Sequence, residues 1–400
     1  LGEMLVCVTL GFLCGRTTIR RSLKWCKTHL EELRKHMNLK YGIASPSTIT
    51  RMLNGIDEEL ALYAFMEWIG EIVESRNTHL AIDGKALCGA TEKTKGETTP
   101  MLLNVVETVR GLILAQLPVD SKTNEITAIP ELLKLLDISG SIVTIDAVGT
   151  QTAIMEQIHE QGGHFVLTVK KNQPEAYEEI HTFMDKLGAE DLKRKKGEAM
   201  DPGMKEFLEK YEEISQMEKN RDRNEYRTCQ ICKDASNLTK SQKEWPHVQS
   251  IGRIKQVRIP KEKDSQGNDV TPSKEEFLEK GSRRIPAPSA GEGAGKDVQC
   301  TALISDLILT AEELGSIKRM HWSIENRLHH VLDDTFREDR SPAKKSRNNL
   351  SLIRKYAYNI LRLAMYETGL ANIMTEMMDC FCDNAALRER YVFQGIASLY

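Results

Sequence analysis

No stretch of this chain stays apolar long enough to cross a bilayer. The longest apolar run near the start, Met4–Cys14, falls short of the roughly 20 residues that a spanning helix needs. No basic segment precedes it, so no signal peptide is expected, and the compartment this leaves is the cytoplasm, with no membrane partner. Long single-residue runs are missing, and so is any repeat with a period of about 20–50 residues, which excludes solenoids and arrays. A second cysteine pair is missing too. The nine cysteines are scattered, and Cys229-x-x-Cys232 stands alone, with only the distant His247 and Cys300 to complete a zinc site. Thiols are therefore expected, not a disulfide frame or a metal knuckle. Finally, there is no excess of positive charge. The chain has 55 Lys and Arg against 58 Asp and Glu, a net charge of −3, so it is not a uniformly basic protein that coats nucleic acid by charge alone.

What is present fits a soluble globular protein of two or three domains: 400 residues, 40% of them apolar and 28% charged. The charge is unevenly spread. Between Arg16 and Lys27 stand Arg16, Arg20, Arg21, Lys24 and Lys27 with no acid. Between Lys344 and Lys355 stand Lys344, Lys345, Arg347, Arg354 and Lys355, again with no acid. Such patches can bind DNA on an acidic protein; the plain alternative is a solvated helix face.

Residues 1–75 read as helices. Leu23–Leu33 and Leu60–Val73 carry apolar residues at helical spacing, and Pro46-Ser-Thr signals a helix start. The period then changes. Leu80–Asp83, Met101–Thr108 and Leu112–Leu117 read as strands, Pro130–Leu136 as a helix, Ile142–Asp146 as a strand, Thr150–Gln161 as a helix and Phe165–Val169 as a strand. That order predicts an α/β fold, a mixed sheet with helices packed on it. Residues 186–299 break the rhythm: Ala189–Glu218 is highly charged, Tyr226–Cys232 and Gln249–Ile259 look like strands, and Lys261–Lys296 is too polar to order itself. This stretch reads as an insertion. Regular structure resumes with the strand Thr301–Ser305, a long helix Ala311–Phe336 and another helix Asn348–Thr368. The expected domains are 1–75, a core in two parts (76–185 and 300–400), and the insertion 186–299.

Asp83 and Asp146 each close a predicted strand, where ligand sites of α/β sheets gather. Carboxylate oxygens suit hard divalent cations. Two such aspartates and a third acid from a packed helix could hold two Mg²⁺ for phosphoryl transfer. Taken singly, either aspartate is more simply a turn residue. On the late helix, spacing alone does not choose among Glu325, Asp333, Asp334, Glu338 and Asp339. Helical geometry puts His321, Glu325 and His329 on one face, which admits a second reading as transition-metal ligands of a hydrolase, although the adjacent His-Glu of the usual zinc helix is absent.

Several motifs in order carry a resemblance. Ala81-Ile-Asp-Gly-Lys85, Asn124–Leu133, Val143-Thr-Ile-Asp-Ala147, Val166–Gln173, His321–Asn326 and Leu332–Asp339 resemble segments of the DDE transposases of bacterial insertion sequences, closest to the H-repeat-associated group found near Rhs elements. The resemblance runs from near residue 1 to about residue 370, with residues 1–75 similar to that family's helical N-terminal associated domain. It implies an RNase H-like mixed sheet flanked by helices, with Asp83, Asp146 and Glu325 as catalytic and metal-binding triad for two Mg²⁺, replaceable by Mn²⁺. It implies cleavage and strand transfer of transposon ends into target DNA, with the protein acting as a homo-oligomer on DNA at the bacterial nucleoid. Lys85, Lys170, Asn172, Gln173 and His321 match motif positions expected to touch DNA, and Arg20, Arg21, Lys344 and Lys345 are the patch residues expected to join them. Two departures stand out. Cys88 replaces the usual Arg of the first motif. Of the Tyr-x2-Arg-x3-Glu-x6-Lys signature of related transposases, the positions here are Lys318, His321, Glu325 and Leu332, so only the Glu matches. A non-mobile nuclease or DNA-binding protein derived from a transposase is the alternative on the same fold.

Overall fold

A computed structural model describes residues 1–87, 99–119, 125–219, 223–238, 245–260, 262–263, 269–270, 298–341, 343 and 345–394. Cys88, Asn124, Lys344 and most of the polar segment 261–296 lie outside the described residues. The chain divides into two compact units, Leu1–Ser141 with Met320–Tyr400, and Ile142–Arg319.

The first unit opens with the helices Gly2–Leu13, Ile19–Thr28, Leu30–Leu33, Pro46–Asn54 and Glu58–Gly70. Their starts are written in the sequence. The side chains of Thr18, Ser45 and Asp57 each accept a backbone N–H of the first turn, and Pro46 follows its cap. The apolar run Met4–Cys14 is a buried helix. It meets the next helix at Gly11, where a Cβ would lie 2.1 Å from Ser22 Cβ and 2.5 Å from its Cα. Gly11→Val should therefore force the helices apart at a cost of about 1–3 kcal/mol, the usual penalty for overpacking. A lowered urea midpoint would show it; an unchanged midpoint would mean that the contact is slack.

A meander follows in the same unit: β1 (His79–Ala86), β2 (Met101–Glu107) and β3 (Leu112–Val119), paired antiparallel in the order β3-β2-β1. β3 is covered by the helices Glu58–Gly70, Glu125–Lys134 and Arg347–Thr368. On the last of these, the fully buried Asn359 accepts from Ile113 N–H (2.9 Å) and donates to Ile113 C=O (2.8 Å), so a side chain satisfies one residue of the strand.

The second unit contains β4 (Ile142–Ile145), β5 (His164–Val169), β6 (Tyr211–Lys219), β7 (Arg223–Cys232), β8 (Ser250–Pro260), the two-residue ladder of β9 (Glu262–Lys263) and β10 (Asp269–Val270), and β11 (Val298–Ser305). The main sheet of this unit runs β4-β5-β11-β8-β7-β6. β4 and β5 are parallel, joined through the helix Thr152–Glu160, and the remaining pairs are antiparallel. Within its described part, the stretch read as an insertion is not a separate body: β8 pairs with β11, which pairs with β5, so β6–β8 widen one sheet. The chain is thus a mixed α/β protein.

Two local expectations are corrected. β1 does not end at Asp83 but runs on to Ala86. The long helix is α-helical over Ala311–Ile324 and continues as two π turns, Glu325–His329 and Val331–Thr335. The boundary between the units falls inside that helix.

Candidate active site

On β1, Asp83 and Lys85 are two residues apart and point to the same face. Both meet the π-helical segment. His329 Nδ1 lies 3.6 Å from Asp83 Oδ2, and Lys85 Nζ lies 2.5 Å from Asp333 Oδ1. The match is one of pitch: two strand residues advance about 6.7 Å and four helical residues about 6 Å. Asp83 also accepts from the Gly84 N–H at 3.0 Å. Burial, then the nearby charges of Lys85 and Lys355, push His329 down to about 4, so its ring is neutral at neutral pH. Glu325 opens the first π turn and is exposed. Such turns are one-residue bulges that frequently accompany functional sites.

Behind this surface lies a buried ion network that the sequence reading missed. Lys85 is only 4% exposed. Besides Asp333 its ammonium reaches Glu338 (3.4 Å) and Asp339 (3.5 Å), and Arg354 reaches Glu338 from the other side (3.8 Å). Burial alone would lower Lys85, but Glu338, Asp333 and Asp339 outweigh it and hold the ammonium charged. Lys355, fully buried, donates to Asn104 Oδ1 and Gln116 Oε1. Its burial outweighs the attraction of Glu338 and brings it down to about 7. Asn104 stands opposite both Asp83 and Gln116 in the ladder, so Asp83, Asn104 and Gln116 form one polar row across three apolar strands. The signal was present: Met101-Leu-Leu-Asn-Val-Val-Glu107 and Leu112-Ile-Leu-Ala-Gln-Leu117 each carry a single amide inside an apolar run.

Asp146 belongs to the second unit, directly after β4 at the start of the short turn Ala147–Gly149. Lys170 Nζ sits 2.6 Å from its Oδ2. Burial would raise the Asp146 carboxyl, but the hydrogen bond and charge of Lys170, with the charge of Lys318, hold it below the usual range. Asn172 donates to Ala147 C=O (3.0 Å) and Gln173 to Thr150 C=O (2.5 Å), so both amides brace the loop that presents Asp146. Lys318 donates to Thr168 Oγ1 (2.8 Å).

These placements revise several expected DNA contacts. Lys85 is buried and committed to carboxylates, and His321 is only 6% exposed, so neither offers itself to a phosphate. The amides of Asn172 and Gln173 are spent on backbone carbonyls. Arg354 and Lys355 leave the solvent-facing patch, being 3% and 0% exposed. Arg20, Arg21 and Lys345 are exposed, and Arg20 and Lys345 line one cavity of the first unit. The hydrolase reading fails on the same ground, since His321 is buried while Glu325 is exposed. Cys229 and Cys232 are buried free thiols, pushed up by burial to about 12 and about 11.

As for a metal, the donor chemistry fits a hard cation: the Asp146 carboxylate is ionised and already draws an ammonium to 2.6 Å. Among the described residues no group of three or more His, Cys, Asp or Glu is gathered closely enough to hold an ion. No helix of the described residues is long and apolar enough to cross a membrane.

Comparison with known proteins then places the chain. Residues 74–360 match the family described as "Transposase DDE domain", and residues 1–69 match the one described as "DDE_Tnp_1-associated". The H repeat-associated putative transposase YhhI of Escherichia coli (strain K12) is 28% identical over 340 residues, covering 84% of this chain and 78% of that protein. The "Putative protein YbfL" of the same strain is 29% identical over 340 residues, with the same coverage of 84% and 78%. The "Putative transposase YncI" of Escherichia coli O157:H7 is 29% identical over 336 residues, covering 83% and 74%. A solved piggyBac transposase synaptic complex with hairpin DNA aligns with 79% of this chain and 54% of its own at 12% identity, with a TM-score of 0.34, too distant to bear on fold or site. By the family match over most of its length, the chain belongs to the DDE transposases, in their H-repeat-associated group.

Proposed function

We propose that the protein cuts DNA at the ends of an insertion sequence and joins them to target DNA, on an RNase H-like core built from residues 76–185 and 300–400. The observation that supports this most is the docking of the Glu325-bearing π segment on β1, through His329 against Asp83 and Asp333 against Lys85. Asp83, Asp146 and Glu325 are the side chains we assign to hold two Mg²⁺, or Mn²⁺ in their place. Ions bound there would activate the attacking oxygen and stabilise the leaving 3′ oxygen of a phosphodiester.

The protein's own groups prepare this. Lys170 keeps Asp146 ionised, and Asn172 and Gln173 fix the loop it stands on. The ion pairs of Lys85 hold the π segment in register with β1. Arg20, Arg21 and Lys345, with Lys170 once released from Asp146, supply positive charge toward DNA phosphates. The protein would work in the bacterial cytoplasm, at the nucleoid, as a homo-oligomer assembled on paired ends.

The test is a cleavage assay on duplexes carrying the element's two ends. Mg²⁺ or Mn²⁺ should support cutting. Ca²⁺ should support binding without efficient cutting, since its larger, looser shell suits the transition state poorly. Equal cutting in EDTA would overturn the reading.

A further inference from the structure

The two basic stretches separated by more than three hundred residues of sequence meet in space. A cavity of about 720 Å³ in the first unit is lined by Arg20 from one and Lys345 from the other, and by Arg337 and Arg340 between them. All four cations are exposed, and none has an ion-pair partner among the described residues. Four like charges around one hollow repel one another unless an anion joins them.

The cavity is built for that anion in three further ways. It receives the start of the helix Ile19–Thr28 after Thr18, and the start of Arg347–Thr368 after Ser346, which makes no side-chain cap; helix starts present N–H groups and partial positive charge. Two buried polar atoms on its wall, Thr17 Oγ1 and Arg354 Nε, have no hydrogen-bond partner among the described residues. Arg354 is only 3% exposed, and the nearest carboxylate oxygen paired with it, on Glu338, is at 3.8 Å, beyond hydrogen-bond length. Arg337 holds a left-handed backbone, φ +52°, ψ +41°, a conformation that costs a non-glycine residue about 1 kcal/mol or more and persists only where its surroundings hold it.

We propose that this cavity seats the phosphodiester backbone of DNA, as a contact made by residues other than Asp83, Asp146 and Glu325. Its volume suits a segment of backbone better than a single small ion, since pockets of about 300–1,000 Å³ hold drug-sized ligands. Among the described residues the wall offers no open ring on which a base could stack: Phe12 is 1% exposed and lies beneath the Arg354 guanidinium at 5.5 Å. Recognition is therefore of phosphate and independent of sequence. The inference rests on the proposed function, which takes DNA as the substrate and sets Arg20 and Lys345 toward its phosphates; it adds Arg337, Arg340 and the cavity that the four share.

The experiment measures binding of the full chain to a short labelled duplex by anisotropy, in EDTA, across about 50–200 mM salt. Arg337→Gly removes the guanidinium while easing the left-handed backbone. Combined with Arg340→Gln it should weaken binding at least about 10-fold and flatten the slope of log K against log salt by about 1.8, the value for two lost phosphate contacts. Lys134→Gln, at an exposed lysine paired with Glu131, should change neither. Unchanged affinity and slope in the double variant, with its melting temperature preserved, would overturn the proposal. So would displacement of inorganic pyrophosphate from the cavity residues without any effect on DNA, which would mark a site for free anions. Because no divalent ion is present, loss of binding here and failure of metal-dependent cleavage are separate results.

Discussion

Asp83→Asn, Asp146→Asn and Glu325→Gln should each abolish strand cleavage while leaving the protein folded and bound to DNA. Each substitution keeps the shape of the side chain and removes one negative charge, so packing is spared and cation affinity is not. A drop of more than about 100-fold is expected, because loss of a residue that merely supports a metal ligand already costs about 10–100-fold. The three should differ in their side effects. At Asp146 the loss leaves Lys170 without its carboxylate, so DNA affinity should hold or rise. At Asp83 the carboxylate lies 3.6 Å from a His329 that burial keeps neutral, so no ion pair is lost and thermal stability should change little. Glu325 is exposed and should show no stability effect. Cleavage assays, anisotropy and thermal melts read these separately. Near-normal cutting by Glu325→Gln would mean that another acid completes the site. Asp334 would come before Asp333, since Asp333 is tied to Lys85 at 2.5 Å.

Glu338→Gln should strongly destabilise the first unit. The carboxylate is 4% exposed, and the cations of Lys85 and Arg354 converge on it at 3.4 and 3.8 Å. Burial by itself would raise its carboxyl, yet Arg354, Lys355 and Lys85 together hold it low, so it is ionised in the folded protein. Removing one partner of a buried ion pair leaves the others uncompensated and costs about 3–5 kcal/mol. A large fall in melting temperature is expected, with Lys85→Met producing a similar fall for the converse reason. Because Glu338 and Lys85 interact directly, the double variant should lose less than the sum of the two. Full additivity would show that the two side chains do not share one network.

The sequence made the elements of the fold legible wherever burial writes a continuous apolar run. β2, β3, β5 and the helices Thr152–Glu160 and Arg347–Thr368 stand close to where periodicity puts them. β6 went unread because Tyr211-Glu-Glu-Ile-Ser-Gln-Met-Glu-Lys219 lies at the outer end of its sheet, where charge guards an unpaired edge and hides the strand signal. β1 was cut short at Asp83 because Asp83-Gly-Lys85 looks like a turn. Its continuation depends on Lys85 being neutralised by Asp333, Glu338 and Asp339, about 250 residues away, which no local pattern reports. At the candidate site, motif order nominates the acids and the Lys170–Gln173 stretch, but does not report what the side chains of that stretch touch. Residue type made Asn172 and Gln173 look like phosphate contacts, while geometry makes them braces of a loop. Lys355 was counted as surface charge because a lysine is almost never fully buried; only the paired amides Asn104 and Gln116 hint otherwise.

The two π turns between Glu325 and Thr335 have a consequence for how this chain tolerates change in length. A π turn is an α-helical turn holding one residue too many, so each is a stored insertion. Deleting one residue from Arg327 or Leu328 would heal the helix locally and leave its hydrogen bonding more regular than before. Because the bulge absorbs the extra residue locally, the helix that follows would keep its phase, and Asp333 and Glu338 would stay against Lys85 and Arg354. In an ordinary α-helix the same loss would turn every later side chain by about 100°. Single-residue deletions are therefore better tolerated here than elsewhere in the helix, although the segment contains no glycine, no proline and no loop.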